Sequence, residues 1–270
     1  MKKKFKLYIF GALALALILV AIFANALCPY DPYEQDLNLS YNAPSLAHIM
    51  GTDAYGRDMF SRVIVGSRVS ILSTLLLVGV ISIFGTFVGV LCGFYGGMVD
   101  MLVMRISDLF LAFPGLVFAL AVAAILGGGV SNAVIALAVI SWPKYSRVAR
   151  GLTLSVKDST YIAAAKLSGD TNLQLMMRHI LPNIMGPILV TAVLDIGPMM
   201  MELAGLSFLG LGAQPPTAEW GSMMSNGRSM LQTYSWVVLS AGIAIFISVM
   251  IFNLFGDAVR DAIDPKNNNN

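Results

Sequence analysis

Long apolar stretches separated by shorter polar segments run through this chain, and their lengths predict membrane helices. A helix needs about 20 apolar residues to cross the ~30 Å hydrocarbon core of a bilayer. Four stretches are long enough, the third of them interrupted by two acidic residues: Leu7–Leu27, Val69–Phe94, Ile184–Leu206 and Ser235–Phe255. The pattern therefore predicts at least four spans.

A fifth uncharged block, Leu109–Pro143, fits either one long span or two helices. We favour two helices with a turn at Gly127-Gly128-Gly129, because consecutive glycines interrupt regular structure. This gives six spans, and an even number places both termini on the same side of the membrane.

The distribution of basic residues also favours six spans. Segments on the cytoplasmic side of membrane proteins are enriched in lysine and arginine. With the N-terminus inside, the outer segments hold four of the seventeen basic residues, Arg57, Arg62, Arg68 and Arg228, and the inner segments hold the other thirteen. A single span at Leu109–Pro143 would move the basic segment Lys144–Arg178 outside and destroy this asymmetry.

Composition agrees with a multi-pass membrane protein, since 57% of the residues are hydrophobic and only 12% are charged. The first span has a second interpretation as a cleaved signal peptide, because Ala24-Asn25-Ala26 resembles a cleavage site. An anchor is favoured, since the apolar stretch exceeds the ~7–15 residues of a signal core. The two cysteines, Cys28 and Cys92, are expected near opposite faces, so neither a disulfide framework nor a metal site is indicated.

These spans predict a division of the chain into four parts. Residues 1–27 form a cytosolic tip and the first transmembrane anchor, and residues 28–67 form an extracytoplasmic segment. Residues 68–260 form a core of five transmembrane helices with a cytosolic loop at 150–183, and residues 261–270 form a cytosolic tail.

Two patterns within the spans suggest specific contacts. Glycines recur every four residues at Gly85, Gly89, Gly93 and Gly97, which predicts a helix face that another backbone approaches closely. Packing inside one subunit is favoured over a subunit interface.

Asp195, Met199 and Glu202 lie on one stripe of a helix. Ionisable groups at membrane depth are costly and usually face a partner or a watery cavity. The stripe therefore indicates a translocation path for a cation or an amino group. Alternatively, Asp195 is hydrogen-bonded in the bundle and Glu202 reaches the outer interface. Gly197-Pro198 in the same stretch predicts a kink.

Enzymatic chemistry is not indicated, and no catalytic residue is expected. The two histidines, His48 and His179, fall on opposite sides of the membrane. A phosphate-binding loop of the G-x-x-x-x-G-K-[ST] type does not occur. We therefore expect a transport subunit without a bound cofactor, and any ATP and Mg²⁺ would bind to partner subunits.

The polar segment Tyr161–Asn183 lies between two spans and reads as two short helices. A run of small residues forms the first, Ser168-Gly169 breaks it, and the second is predicted to stop at Pro182. A cytosolic helix–turn–helix in this position suits docking, because a partner that pushes on it would move both spans.

This segment resembles the EAA loop of permease subunits in bacterial ATP-binding-cassette (ABC) importers, written E-A-A-x-x-x-G-x9-I-x-L-P. Ala163 replaces the glutamate and His179 replaces the isoleucine. The resemblance implies contact with an ATPase subunit through Tyr161, Ala164, Ala165, Gly169, Leu181 and Pro182.

Further motifs resemble the dipeptide, oligopeptide and nickel branch of this family: Gly51–Arg62, Gly66–Ser70, Ala204–Gly221 and Phe252–Pro265. The resemblance implies an all-α polytopic helical bundle of six transmembrane helices with the MetI-like permease fold. Leu194–Met200 is similar to nickel permeases and Gly212–Trp220 to dipeptide permeases. Nickel is slightly favoured as the substrate, with di- or oligopeptides close behind.

The family also implies an assembly in the bacterial cytoplasmic membrane. Its expected components are a second permease subunit, two ATP-binding-cassette ATPase subunits or domains and an extracytoplasmic binding protein, surrounded by lipid and without nucleic acid. Gly51–Arg68 and Ser207–Tyr234 are candidates for contact with the binding protein. Two alternatives remain: an ion-coupled secondary transporter with Asp195 and Glu202 as its ion site, although no internal repeat is seen, and a non-transporting receptor subunit.

Overall fold

The computed structural model describes residues 2–263 and the side chains from residue 5 onward. Most of the tail predicted at 261–270 therefore lies outside the described residues, as do the side chains of Lys2, Lys3 and Lys4. Helices account for nearly all the regular structure, and the described residues include no β-strand beyond one isolated bridge, between Thr52 and Asp58.

Eleven α-helices follow one another along the described chain. They are α1 (Lys2–Ile22), α2 (Ala24–Leu27), α3 (Met59–Tyr95), α4 (Gly97–Ala112), α5 (Gly115–Ile125), α6 (Val130–Val156), α7 (Thr160–Leu167), α8 (Asn172–Gln174), α9 (Leu181–Phe208), α10 (Trp220–Gly227) and α11 (Trp236–Ile263). Short 3-10 helices occur at Leu37–Leu39 and Arg228–Met230, and a π-helical turn at Leu175–Ile180 joins α8 to α9.

Four helical stretches in residues 2–263 are long and apolar enough to cross a membrane: α1, α3, the continuous stretch Asn172–Phe208, and α11. The pair α4 and α5 makes a fifth if it is counted as one span, although it is bent by 95°. The predicted count of six is not confirmed. The remaining long helix, α6, carries Lys144, Arg147 and Arg150 in its second half.

The turn predicted at Gly127–Gly129 separates α5 from α6, and all three glycines have positive φ angles. A second break, at Phe113-Pro114, divides α4 from α5 and was not predicted. Phe113 is extended, with φ −98° and ψ 149°. Proline disfavours helical geometry in the residue before it, so the chain turns sharply at this point.

The long helix α3 lies at the centre of the bundle and packs along α6, α9 and α1. Close packing against α6 depends on glycine. A Cβ atom at Gly85 would lie 2.6 Å from the carbonyl oxygen of Trp142, and one at Gly89 would lie 2.3 Å from that of Ser146. Gly93 faces Thr153 in the same way, at 2.7 Å. These three glycines therefore pack within the subunit.

The spacing predicts that Gly97 continues this glycine face, but in the structure it does not. Helix α3 ends at Tyr95, and Gly96 and Gly97 both have positive φ angles. The chain therefore changes direction before the fourth glycine, and a Cβ atom at Gly97 would meet only open space.

Candidate functional site

The segment Thr160–Ile180 forms the predicted helix–turn–helix, and a glycine makes its turn. Helix α7 ends at Leu167, and the next amides donate hydrogen bonds back to its last carbonyl groups: Ser168 N to Ala164 O at 2.9 Å and Asp170 N to Ala165 O at 3.2 Å. Gly169 has a φ of +96°. This left-handed conformation favours glycine and ends many helices, so Gly169 fixes the sharp reversal.

Side chains stabilise the start of the second arm and connect this arm to the turn. Thr171 and Gln174 form a capping box at the start of α8, which satisfies amides at the helix N-terminus. The ring nitrogen Nε2 of His179 lies 2.8 Å from Oδ2 of Asp170. The histidine that replaces the isoleucine of the motif therefore connects the second arm to the turn.

Pro182 does not stop the second helix, contrary to the prediction. The helical stretch continues from Asn172 to Phe208, and Pro182 occupies the first turn of α9. A proline lacks an amide hydrogen and clashes with the preceding helical turn. The π-helical turn at Leu175–Ile180 precedes it and widens the backbone there, so the chain remains helical.

The loop is anchored by an apolar cluster on its membrane side. Ile162 from α7 and Leu175, Met176 and Ile180 from the second arm are buried together with side chains of α3, α6 and α9, including Val90, Ala149 and Ile184. The loop therefore packs directly against these three long helices.

The opposite side of the loop is exposed and partly apolar. Leu167 is 91% exposed, Leu173 is 62% exposed and Tyr161 is 42% exposed. Of the predicted coupling residues, Tyr161, Ala164, Gly169 and Pro182 are exposed, whereas Ala165 and Leu181 are half-buried against the apolar cluster.

Asp195 is buried in the bundle and has two partners on α6. Its Oδ1 forms an ion pair with Nζ of Lys144, and its Oδ2 accepts a hydrogen bond of 2.9 Å from the hydroxyl of Tyr145. A buried carboxylate without partners would be very costly. The ion pair and the hydrogen bond together therefore join α6 to α9 inside the bundle.

The other two residues of the stripe have different surroundings. Met199 is buried in the main apolar core, whereas Glu202 is half-buried. Within residues 5–263 the carboxylate of Glu202 has no hydrogen bond or ion pair to another side chain. Glu202 is therefore the free acidic group on this part of α9.

Sequence reasoning missed Lys144 and Tyr145 as partners of Asp195. They lie about fifty positions away, and Lys144 was interpreted only as a flanking charge that marks the cytosolic side. The signal that could have indicated this pairing is the small number of charges near the spans, because a charge at membrane depth is costly unless it has a partner.

Ion pairs also join α4 to α6. Arg150 binds both carboxylate oxygens of Asp100, and Arg147 pairs with Asp108. Within the described residues no group of three His, Cys, Asp or Glu side chains is placed to hold a metal ion.

Comparisons with known proteins identify the family. The family described as "Binding-protein-dependent transport system inner membrane component" matches residues 85–269. The chain is 43% identical over 265 residues to the dipeptide transport system permease protein DppC of Alkalihalophilus pseudofirmus, covering 98% of this chain and 87% of that protein. It is also 43% identical over 257 residues to the glutathione transport system permease protein GsiD of Pectobacterium atrosepticum, covering 95% and 85%.

Among solved structures, the inward-facing MetNI methionine ABC transporter matches with a TM-score of 0.61 at 18% identity, covering 76% of this chain and 98% of that one. At this identity the likeness shows the fold alone, and it confirms the predicted all-α permease fold. The chain therefore belongs to the binding-protein-dependent transport system inner membrane components, and it is a permease subunit of an ABC importer in the bacterial inner membrane.

Proposed function

We propose that this permease imports short peptides, with the substrate moving past α9. The names of the two relatives, a dipeptide permease and a glutathione permease, support this substrate class. They give no support to nickel, which the sequence pattern at Leu194–Met200 slightly favoured. Dipeptides and glutathione both carry a free amino group, which suits an acidic partner in the membrane.

The helix–turn–helix at Thr160–Ile180 is the surface that couples the permease to an ATPase subunit. The observation that carries this proposal is its two-sided construction: Leu167 is exposed on one side, while Ile162 is buried among α3, α6 and α9 on the other. Closure of two ATPase subunits around ATP would displace the loop. The anchored helices would then move with it, which is the kind of rigid displacement that alternating access requires.

Asp195 and Glu202 mark the translocation path in this proposal, whereas Met199, which is buried in the main apolar core, does not face it. Lys144 neutralises Asp195, so Glu202 is the acidic group available to the amino terminus of a peptide. The Lys144–Asp195 ion pair also bridges α6 and α9. A change in the distance between these two helices would separate Lys144 from Asp195 and so alter the charge that the substrate meets.

The complete importer would contain a second permease subunit, two ATPase subunits and an extracytoplasmic binding protein. Both termini of this chain would lie in the cytosol, with the segment 28–58 and helix α10 outside. The excess of basic residues in the inner segments supports this orientation.

The coupling proposal is tested with the importer reconstituted in liposomes together with its partner subunits. Leu167→Asp places a charge on the exposed side of the loop, so we expect ATP-dependent uptake of dialanine to be lost. Leu46→Asp is the matched control, because Leu46 is a fully exposed leucine in the segment 28–58. The control should transport like the wild type.

Three results would contradict the proposed function. Equal uptake by the Leu167→Asp and Leu46→Asp variants would remove the coupling role from the loop. Uptake of Ni²⁺ without uptake of dialanine would reject the peptide substrate. Uptake by this chain alone under an ion gradient, without an ATPase, would favour the secondary transporter.

A further inference from the structure

A small cavity with charged side chains in its walls lies at the end of the bundle that we place outside the membrane. Its volume is about 210 Å³. The walls come from the segment 28–58, the start of α3, the loop before α10, α10 itself and the start of α11. The polar side chains that line it are Tyr41, Asp53, Tyr55, Arg57, Arg62, Thr217 and Asn226.

The charges around this cavity do not balance. Arg57 donates to Oδ2 of Asp53 from Nε and lies equally close through Nη2, both at 2.7 Å. Nε of Arg62 lies 3.6 Å from the same oxygen, too far for a hydrogen bond. Two guanidinium groups therefore share one carboxylate, and the lining carries an excess positive charge.

Both arginines are removed from bulk water, with 10% of the Arg57 side chain and 5% of the Arg62 side chain exposed. Among the described residues, Arg62 donates one hydrogen bond, from Nη1 to the carbonyl oxygen of Pro32 at 3.0 Å. A guanidinium group has five N–H donors, so most donors of Arg62 have no protein acceptor. Buried charge is stabilised by a counter-charge with good geometry, and a carboxylate matches the planar guanidinium group best.

The cavity is separate from the proposed translocation path. None of the residues that line it belongs to α6 or α9, the helices that carry Lys144, Asp195 and Glu202. The volume is also below the ~300–1,000 Å³ of typical small-molecule sites. One acidic side chain fits these limits better than cargo does.

We propose that this cavity receives the carboxylate of an aspartate or glutamate on the surface of the substrate-binding protein, and that Arg62 is its main partner. The inference rests on the proposed function, because it requires this end of the bundle to face the binding protein. It adds one anchoring contact to that function and identifies the residues that form it.

The test measures ATP hydrolysis by the reconstituted importer as its binding protein is titrated. Arg62→Gln removes the unshared charge. Asn226→Phe blocks the cavity while leaving both arginines in place, and Asn226 is exposed, so this variant should fold. Arg228→Gln is the matched control, since Arg228 is an exposed arginine of the same outer region that does not line the cavity.

We expect Arg62→Gln and Asn226→Phe to raise the half-saturating concentration of binding protein by about thirtyfold or more, the loss typical of a broken buried charge pair. Arg228→Gln should change it by about twofold or less. Replacement of chloride by acetate at constant ionic strength should weaken stimulation in the wild type and leave the Arg62→Gln variant unchanged.

Half-saturating concentrations in Asn226→Phe and Arg62→Gln equal to that of Arg228→Gln would overturn the inference. If Arg62→Gln does not fold, the Asn226→Phe variant and the acetate titration decide the question. Saturable binding of dialanine, but not of its C-terminal amide, to the importer without binding protein would also overturn it, because the cavity would then hold cargo. A wild-type importer that its binding protein does not stimulate would instead reject the proposed function.

Discussion

The close contact between α3 and α6 gives a sharp test through Gly89→Ala. The added Cβ atom would lie 2.3 Å from the carbonyl oxygen of Ser146 and 2.8 Å from Cβ of Ala149. Ordinary contacts begin at 3.4 Å, so the two helices would have to separate by about 1 Å. Overpacking of this kind typically costs about 1–3 kcal/mol. The loss of packing energy is especially important between membrane helices, because close packing is a principal source of their association.

The same helix supplies the control. Gly79→Ala adds a methyl group that meets no atom within 4 Å other than those of its chain neighbours and its own local helix backbone. This change should be neutral or should stabilise α3 by up to about 1 kcal/mol, since alanine has the higher helix propensity. The two substitutions are chemically identical and differ only in what the new methyl group meets.

Thermal unfolding can be followed through Cys92, which is buried on α3 beside the contact. In a Cys28→Ser background, a thiol-reactive fluorophore labels Cys92 only as the bundle opens. We expect a lower midpoint for Gly89→Ala and an unchanged or higher midpoint for Gly79→Ala. Equal midpoints for the two variants would refute the close approach of α3 and α6 at this position.

Three further predictions concern the candidate site and the outer segment. Asp195→Asn and Glu202→Gln should both slow dialanine uptake while the complex still assembles, because each amide keeps the size of the side chain and Lys144, which is half exposed, keeps its contact with water; unchanged uptake would make both carboxylates structural. Gly169→Val should cost about 1–2 kcal/mol in the left-handed turn and uncouple ATP hydrolysis from uptake, whereas Gly169→Asn should be milder; equal coupling in both would exclude a role for the turn geometry. Burial, and secondarily the nearby carboxylate of Asp58, raise the pKa of Cys28, so less thiolate is present at neutral pH. The rate of maleimide labelling of Cys28 should therefore continue to increase as the pH rises beyond the usual thiol range, and a rate that levels off at or below that range would contradict this.

The long spans could be predicted because their uncharged lengths leave few alternatives, but their ends could not. Helix α3 begins ten residues before the predicted Val69, and α11 ends eight residues after the predicted Phe255, because both helices continue into charged segments. The positions at which a proline interrupts a helix were harder to predict. At Pro114 the helix is interrupted and the chain bends sharply. At Pro182 the chain remains helical, because the π-helical turn before it makes room for the proline ring. Both are prolines next to apolar helices, and only the packing around each decides which outcome has the lower energy.

The coupling loop could be located from its motif, since Gly169 must be a residue that tolerates a positive φ. The partners of Asp195 could not be identified, because Lys144 and Tyr145 approach it only after α6 packs beside α9. The outer cavity is a similar case, since Arg62 and Asn226 are separated by more than 160 positions. Contacts of this kind depend on tertiary structure, and residue spacing carries no signal for them.

The length of α3 has a consequence for the environment of that cavity. At about 1.5 Å per residue, its 37 residues span roughly 55 Å, well beyond the ~30 Å hydrocarbon core. In the proposed orientation its first turns, which carry Arg62, therefore extend beyond the hydrocarbon core towards the aqueous phase outside. Long-range attraction between charges weakens there as ionic strength rises, with a screening length of about 8 Å at physiological salt. The rate at which a binding protein reaches this permease should therefore fall with the salinity outside the cell, while the steps inside the membrane are unaffected.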